Sequence, residues 1–303
     1  MLGGGLLFCD PRFHDLNQVP VVQRRRLEHR RDGRLVGVLD GVIADGVFVS
    51  GHSAPFGGPD LVRVDPPVDD VLGLVSAALE VLRAEGVRLV RILARPTAYS
   101  AAEPLVEFAL LHLGFTVAAC DLNQHVDLSA LSPDADLSSL FRDRKRRSVR
   151  AARQRPHELV QVTGDEDLGS LHDILADNRA THGRPPPLPQ DYLGRLRAAF
   201  GDRVRLLLLR EGGEPTAGAV VYRVLDDVDQ VVHWADADRA RPGSPMELLA
   251  WSVLTDSRDR GARLVDLGPS RNADGTLNAG LADFKRAVGA VPGTRKVLTL
   301  SLV

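Results

Sequence analysis

Hydrophobic and polar positions in the second half of the chain form a regular succession of short apolar runs and longer amphipathic stretches. Short apolar runs bounded by glycine, proline or charged residues predict strands, whereas apolar residues three or four positions apart predict helices. The segment Glu211-Gly212-Gly213-Glu214 joins two of these runs and is a hairpin signal. We therefore predict strands at about 158–163, 203–210, 215–224, 228–236, 263–267 and 291–303, and helices at about 166–182, 190–200, 245–260 and 279–287.

The first half of the chain follows the same plan with a shortened opening. The pattern Arg-x-x-Gly-x-Arg-Leu-Val occurs twice, starting at Arg83 and at Arg258. In both copies a predicted helix ends at a glycine that can adopt the left-handed conformation after a helix C-terminus. A repeat over this distance predicts two domains of one fold rather than a solenoid. The first half is predicted to contain strands at about 20–30, 34–43, 46–50, 87–93 and 115–127, and helices at about 68–85 and 101–113.

The densest charge in the chain lies between the two halves. Its basic residues are Arg142, Arg144, Lys145, Arg146, Arg147, Arg150, Arg153 and Arg155. On a helix these positions cover most of the circumference and leave Phe141, Val149 and Ala152 to pack. The segment is either a solvated linking helix or a surface for the phosphates of a nucleic acid or a nucleotide-linked ligand.

Composition limits the classes of protein to which the chain can belong. Its 303 residues suffice for two domains, and 44% hydrophobic residues is typical of a globular protein. A formal net charge of −2 gives no global field for nucleic acid or membranes. The two cysteines, Cys9 and Cys120, form no disulfide framework or zinc motif, which favours a reducing cytoplasm. We expect no membrane span, no metal and no secretion signal at the apolar start, and Cys120 is predicted to lie in the core.

Polar residues follow directly on a predicted buried strand near the end of the chain. Residues 265–270 lead into a loop with Asp274-Gly275-Thr276, and a short helix then carries Phe284 and Lys285. Only three of the 38 basic residues are lysine, so a lysine here indicates a need for a compact ammonium group. The alternative is a solvated helix lysine with no special role.

Several short segments together point to a known family. They are the strand end Asp266–Ser270, the turn Gly275-Thr276, the helix end Phe284–Ala290, the loop His182–Pro189, the strand Ala217–Ala219 and the loop Ser53–Pro59. Together they resemble the FemAB-like branch of the GNAT acyltransferase superfamily. That family includes transferases that use aminoacyl-tRNA to build peptidoglycan cross-bridges, and relatives that acylate small molecules.

The resemblance implies a mixed α/β (α+β) protein with two tandem GNAT-fold domains. We predict an N-terminal domain at residues 1–135, the basic linking helix at 136–156 and a C-terminal domain at 157–303. It also implies N-acyl transfer to an amine of a small molecule or a cell-wall precursor, without a resident cofactor. The alternatives are an acyl-CoA-dependent N-acyltransferase of the same fold and a non-catalytic ligand-binding protein.

The carrier of the acyl group is predicted from the loop that binds pyrophosphate in ordinary GNAT enzymes. Such enzymes use backbone N–H groups at a helix N-terminus. Here the matching segment contains Pro242 and Pro245, each of which lacks that donor. This argues against a conventional coenzyme A site, although Arg239, Arg241 and Ser244 could still contact phosphates of coenzyme A. The resemblance to FemAB-like proteins, which share this feature, implies aminoacyl-tRNA as the favoured co-substrate.

The resemblance also assigns roles to residues. It places Lys285 near the reacting ester or the terminal phosphates, and Phe284 against the terminal adenosine of the donor. Asp266 is a candidate general base and, alternatively, a cap of the following loop. Predicted donor-binding residues are Trp234, His233, Arg239, Arg241 and Ser244; predicted acceptor-binding residues are Arg146, Arg150, His182, Phe56 and Gly57. The acceptor is predicted to bind between the two domains.

Overall fold

The computed structural model describes residues 5–19, 22–132, 134–237 and 245–302. Its helices are α1 (Pro11–Leu16), α2 (Val68–Ala84), α3 (Glu103–His112), α4 (Asp143–Ala152), α5 (Asp165–Thr181), α6 (Gln190–Phe200), α7 (Pro245–Asp259) and α8 (Ala279–Ala287). Its strands are β1 (Gln23–Arg31), β2 (Arg34–Ala44), β3 (Val47–Ser50), β4 (Pro59–Leu61), β5 (Leu89–Leu93), β6 (Thr116–Asp127), β7 (His157–Gln161), β8 (Val204–Glu211), β9 (Glu214–Leu225), β10 (Val228–Asp236), β11 (Leu264–Pro269) and β12 (Val291–Ser301).

The two copies of the repeated motif end their helices in the same way. Gly86 follows α2 with φ of 77°, and Gly261 follows α7 with φ of 80°. The left-handed backbone that the sequence predicts at both glycines is therefore confirmed, since a side chain there would be strained. Each turn then leads to a buried parallel strand, β5 or β11.

Contacts divide the chain into two compact units. The first unit consists of residues up to Asp121 together with Gly293–Val303. Its sheet has the order β1-β2-β3-β5-β12, followed by the first part of β6, while β4 pairs with β2. Its core lies between this sheet and the helices α2 and α3.

The second unit spans Leu122–Pro292. Its sheet begins with the second part of β6 and continues in the order β11-β10-β9-β8-β7. Ala217 and Ala219 on β9 belong to the core that α7 and α4 cover. Gly218, between them, faces Leu171 of α5, and a Cβ there would lie 2.3 Å from the Leu171 side chain. Helices α5 and α7 therefore cover opposite faces of this sheet.

The units differ from the domain boundaries expected from the sequence, at residues 135 and 157. The final strand β12 is part of the first unit, where it pairs with β5 from Val297 to Ser301. The second part of β6 belongs to the second unit, where it pairs with β11. The last strand of the first half, β6, extends into the sheet of the second unit. The last strand of the second half, β12, belongs to the sheet of the first unit.

Several local features also differ from the prediction. The basic helix α4 is shorter than the predicted 136–156, since a short 3-10 turn and an extended Phe141 precede it. The prediction that Cys120 lies in the core is wrong, because this residue is exposed on β6. Helix α1 and strand β4 are too short to give a periodic signal and were not predicted. In the part of the chain that the structure describes, no helix is both long and apolar enough to cross a bilayer.

Candidate acyl-transfer site

The two central parallel strands of the second unit separate after a short paired region. Strands β10 and β11 pair only from Val228 to Gln230 and from Leu264 to Asp266. Beyond these rungs β10 continues to Asp236 and β11 to Pro269 without pairing to each other. A β-bulge at Val232, where the register of β10 against β9 shifts, lies just past the last rung. Beyond this point the facing backbone edges of β10 and β11 are not paired with each other, and we call this unpaired region the opening. An unpaired strand edge can form hydrogen bonds to an extended ligand.

A buried polar network lies where the strands separate. Asp266 is buried and accepts hydrogen bonds from Asn123 Nδ2 at 2.7 Å, from the Gly268 N–H at 2.8 Å and from Gln230 Nε2 at 3.4 Å. These donors come from β6, β11 and β10, so the carboxylate joins all three strands. Gly268 has φ of 74°, which favours glycine at this bend. The geometry thus supports the capping alternative for Asp266, and its role as a general base stays a prediction.

Lys285 reaches from α8 to the end of β11. Its side chain is only 1% exposed, and its ammonium donates to the Gly268 carbonyl at 2.8 Å and to the Pro269 carbonyl at 3.0 Å. The alternative of a solvated helix lysine is therefore wrong. The ammonium satisfies two backbone acceptors that β10 leaves unpaired, so Lys285 fixes the end of β11 in its diverging path.

Next to this strand end lies an aromatic pair with a cation beside it. The rings of Trp234, on β10, and Phe284, on α8, meet edge to face with centroids 5.6 Å apart. Lys145 of α4 places its Nζ 5.2 Å from the Phe284 centroid and is hydrogen-bonded to the Glu247 carboxylate of α7. Both rings are half-buried and pack on the core of the second unit. The predicted donor residues Trp234 and Phe284 are thus brought together.

His233 lies on the opposite face of β10 from Trp234, as the alternation of a strand requires. Burial, with a smaller contribution from the positive charge of Arg179, lowers the pKa of His233 to about 4. The imidazole is therefore neutral at physiological pH. It faces α5 rather than the aromatic pair, which separates it from the other predicted donor residues.

The predicted acceptor residues of the second unit have local partners. Arg146 bonds to the Phe141 carbonyl at 2.9 Å and to the Ser139 carbonyl at 3.2 Å, which ties it to the turn before α4. His182 is exposed and contacts the Asn178 carbonyl at the end of α5 through Nδ1. Arg150 is exposed on α4 and keeps its side chain in solvent. The role of all three residues in acceptor binding stays a prediction.

The predicted acceptor residues of the first unit are internal. Phe56 is fully buried, with edge-to-face contacts to Phe8 at 5.2 Å and Tyr99 at 5.0 Å. The Gly57 N–H donates to the Leu93 carbonyl at 2.7 Å, and a Cβ on Gly57 would lie 2.4 Å from the backbone of Gly51. Both residues therefore shape their loop, and the Phe56 ring has no surface for an acceptor.

Arg239, Arg241 and Ser244, predicted to bind the donor, lie outside the described residues. Lys145 and Glu247 were missed as site residues. Lys145 was one charge among many in a basic segment, and Glu247 was one polar residue at a helix start. Their sequence separation of 102 residues left no local signal that they pair. Within the described ranges, no cluster of three or more His, Cys, Asp and Glu residues is placed to hold a metal ion.

Comparison with known proteins identifies the fold. Residues 139–286 match the family model described as "Acetyltransferase (GNAT) domain". The crystal structure of FemX superposes with a TM-score of 0.74 at 14% identity, covering 98% of this chain and 92% of that one. The chain is a tandem GNAT-fold protein. Its GNAT domain contains both the diverging strands and the aromatic pair.

Two further solved structures share this tandem GNAT fold. The C-terminal domain of a putative lysylphosphatidylglycerol synthetase from Agrobacterium fabrum gives a TM-score of 0.59 at 16% identity, covering 96% of this chain and 87% of that one. A tandem GNAT protein from the clavulanic acid biosynthesis pathway gives 0.54 at 15% identity, covering 94% and 84%. A comparison with curated protein sequences finds no significant match.

Proposed function

We propose that the tandem GNAT protein is an N-acyltransferase that forms an amide between a carried acyl group and an amine acceptor. The observation that carries this proposal is the opening between β10 and β11, with Trp234 and Phe284 beside it. Unpaired strand edges can hold the extended part of an acyl donor, and the aromatic pair offers a surface for a base. The match to a GNAT domain supports the same reaction class.

The favoured donor is aminoacyl-tRNA, and the favoured acceptor is an amine of a small molecule or a peptidoglycan precursor. The resemblance to the FemAB-like family and the superposition on FemX support this choice. The prolines in the segment that would otherwise bind pyrophosphate support it as well. Exposed arginines of α4, Arg144, Arg147 and Arg150, add a basic surface suited to phosphates.

Coenzyme A is the second candidate carrier. The specific observation in its favour is the fold shared with the tandem GNAT protein of clavulanic acid biosynthesis, whose structure is described as solved without acetyl-CoA. Both carriers end in an adenosine with phosphates, so the aromatic pair suits either.

The reaction requires few groups from the protein. A neutral amine attacks an ester or thioester carbonyl, and holding the two together supplies much of the rate enhancement. The tetrahedral intermediate needs hydrogen-bond donors for its oxyanion. We assign this role to backbone N–H groups of β10 near the Val232 bulge, because Lys285 is already bonded to two carbonyl oxygens. The acceptor nitrogen gives its proton to solvent or a basic group, and the leaving group takes one up.

The test is to incubate the protein with a pool of radiolabelled aminoacyl-tRNAs or with acetyl-CoA, together with candidate amines. We expect label to move from tRNA to the amine in a ribonuclease-sensitive reaction. Transfer from acetyl-CoA without tRNA would replace the favoured donor by the second candidate. Failure of both donors with a broad amine set would favour a non-catalytic ligand-binding protein.

A pair of matched variants locates the reaction. Phe284→Ala should lower kcat/KM for the donor by about tenfold or more, since stacking of a base on an aromatic ring contributes about 1–3 kcal/mol. Phe108→Ala removes a half-exposed ring in the first unit and should leave kcat/KM unchanged. Equal effects of the two substitutions would contradict a donor site beside Phe284.

A further inference from the structure

The three lysines of the chain have three different environments. Lys285 is buried, and its ammonium is bonded to two backbone carbonyls. Lys296 lies in the first unit and pairs with Glu107, both side chains being about one-quarter exposed. Lys145 is 29% exposed at its side chain and lies against Phe284. Of the three, Lys145 alone combines an accessible ammonium with a position beside the aromatic pair.

Glu247 holds Lys145 in this position. Glu247 is only 2% exposed, and one of its carboxylate oxygens bonds to Lys145, while the other has no hydrogen-bond partner among the described residues. If the Lys145 ammonium moved away, the Glu247 carboxylate would be left as an unpaired buried charge, which is strongly unfavourable. Helices α4 and α7 pack on each other, and Val149 and Leu248 belong to the same core, which fixes both partners. The ammonium is therefore preorganised and not simply a mobile surface charge.

The pairing also keeps the ammonium beside the aromatic pair. Its Nζ lies 5.2 Å from the Phe284 centroid, and that ring contacts Trp234 on the strand that borders the opening. A base packed against these rings carries its ribose and phosphate within a few ångströms of the base. A lysine ammonium is a compact charge suited to a phosphate oxygen.

We propose that Lys145 is a binding residue of the donor site, whose ammonium contacts the phosphate of a phosphorylated adenosine that packs on Phe284 and Trp234. Glu247 is its positioning residue. Lys285 then has a structural role at the end of β11. This inference rests on the proposed function, since it assigns the cation of the same donor site. The phosphorylated adenosine is shared by the 3′ end of tRNA and by coenzyme A.

The first test observes the lysines directly. Reductive methylation with ¹³C-formaldehyde labels accessible amines and keeps their charge, and Lys145→Arg and Lys296→Arg variants assign the signals. Titration with 5′-AMP, and separately with coenzyme A, should shift the Lys145 dimethyl signal and leave the Lys296 signal in place. The Lys285 amine should resist labelling because it is buried.

The outcomes separate the inference from the proposed function. If AMP or coenzyme A changes the fluorescence of the two tryptophans but the Lys145 signal stays fixed, the inference is wrong and the proposed donor site stands. Equal shifts of the Lys145 and Lys296 signals indicate non-specific phosphate binding and also overturn it. No binding of either ligand at millimolar concentration overturns the inference, and the transfer assay then decides the proposed function.

Kinetics give the second test. Lys145→Met should raise the KM for the donor by about tenfold, with a much smaller change in kcat, because a charge-assisted hydrogen bond to the carrier is lost. Lys145→Arg should recover most of the affinity by restoring the charge. Lys296→Met removes a comparable ion pair in the first unit and should change neither parameter. A fall in kcat without a change in KM would place Lys145 outside the binding of the carrier.

Discussion

At the scale of single residues, Lys285 shows why a chemical assignment needs the geometry of its partners. Lysine is rare in the chain, which favours a specific role for Lys285, and the structure gives its ammonium two carbonyl partners at the end of β11. Substitution of Lys285 removes a charged hydrogen-bond donor from the buried Gly268 carbonyl and from the partly buried Pro269 carbonyl. We therefore expect the main effect of substituting Lys285 to be a loss of stability rather than a direct loss of reaction rate.

We expect Lys285→Met to lower the free energy of unfolding by about 2–4 kcal/mol, because two hydrogen bonds to a charged group are lost. Urea unfolding monitored by tryptophan fluorescence, which reports the second unit, and by far-UV circular dichroism, which reports both units, measures this change. Lys296→Met is the control and should cost about 0–1 kcal/mol, as is usual for a partly exposed ion pair. An unchanged unfolding curve for Lys285→Met with a large fall in kcat would instead support a direct chemical role.

His233 makes a second residue-scale prediction, for the dependence of stability on pH. Its pKa falls from 6.5 to about 4 on folding, chiefly through burial. The unfolded chain therefore takes up a proton before the folded one, so the stability contributed by the neutral imidazole is present above pH 6.5 and is lost as the pH falls toward 4. His233→Gln should remove that part of the pH dependence, which denaturation curves between these two pH values will detect. His182→Gln, at an exposed position, should retain the slope of the parent protein.

At the scale of elements, the sequence predicts where helices and strands lie but not which strands are neighbours. Periodicity and the two left-handed glycines place α2, α6, α7, α8 and β10 within a residue or two of their observed bounds. Alternation along a strand defines its two faces and carries no information about the partner at its edge. The contribution of β12 to the first sheet and of β6 to the second therefore could not be predicted.

In the candidate site, too, the sequence identifies residues within recognisable motifs and misses residues that meet only through packing. Trp234, Phe284, Asp266 and Lys285 come from three elements, β10, β11 and α8, that the sequence predicts, so they could be identified from the sequence. Lys145 and Glu247 meet because α4 packs on α7, a contact that arises only in the folded chain. Asn123 and Gln124 give a weak signal, two adjacent polar residues within a predicted strand, and both are buried beside Asp266 and Ser270.

At the scale of the whole molecule, the crossed use of β6 and β12 means that no single cut separates two complete domains. A fragment that ends near residue 135 lacks β12. A fragment that begins near residue 135 lacks β6, which pairs with β11 on the side opposite β10. Leu298 of β12 is fully buried in the core of the first unit, and five rungs join β12 to β5. The end of the chain is thus an internal strand of the first sheet, which would lose a central neighbour without it.

We expect a chain that ends at Pro292 to unfold its first unit selectively. Hydrogen exchange should become fast at the β5 amides, whose partners on β12 are gone, while the tryptophan emission of the second unit stays native. A synthetic peptide of residues 291–303 should restore slow exchange at β5, and a peptide with Leu298→Asp should fail because it buries an unpaired charge in the core. Slow β5 exchange in the truncated chain would show that the first sheet is complete without β12.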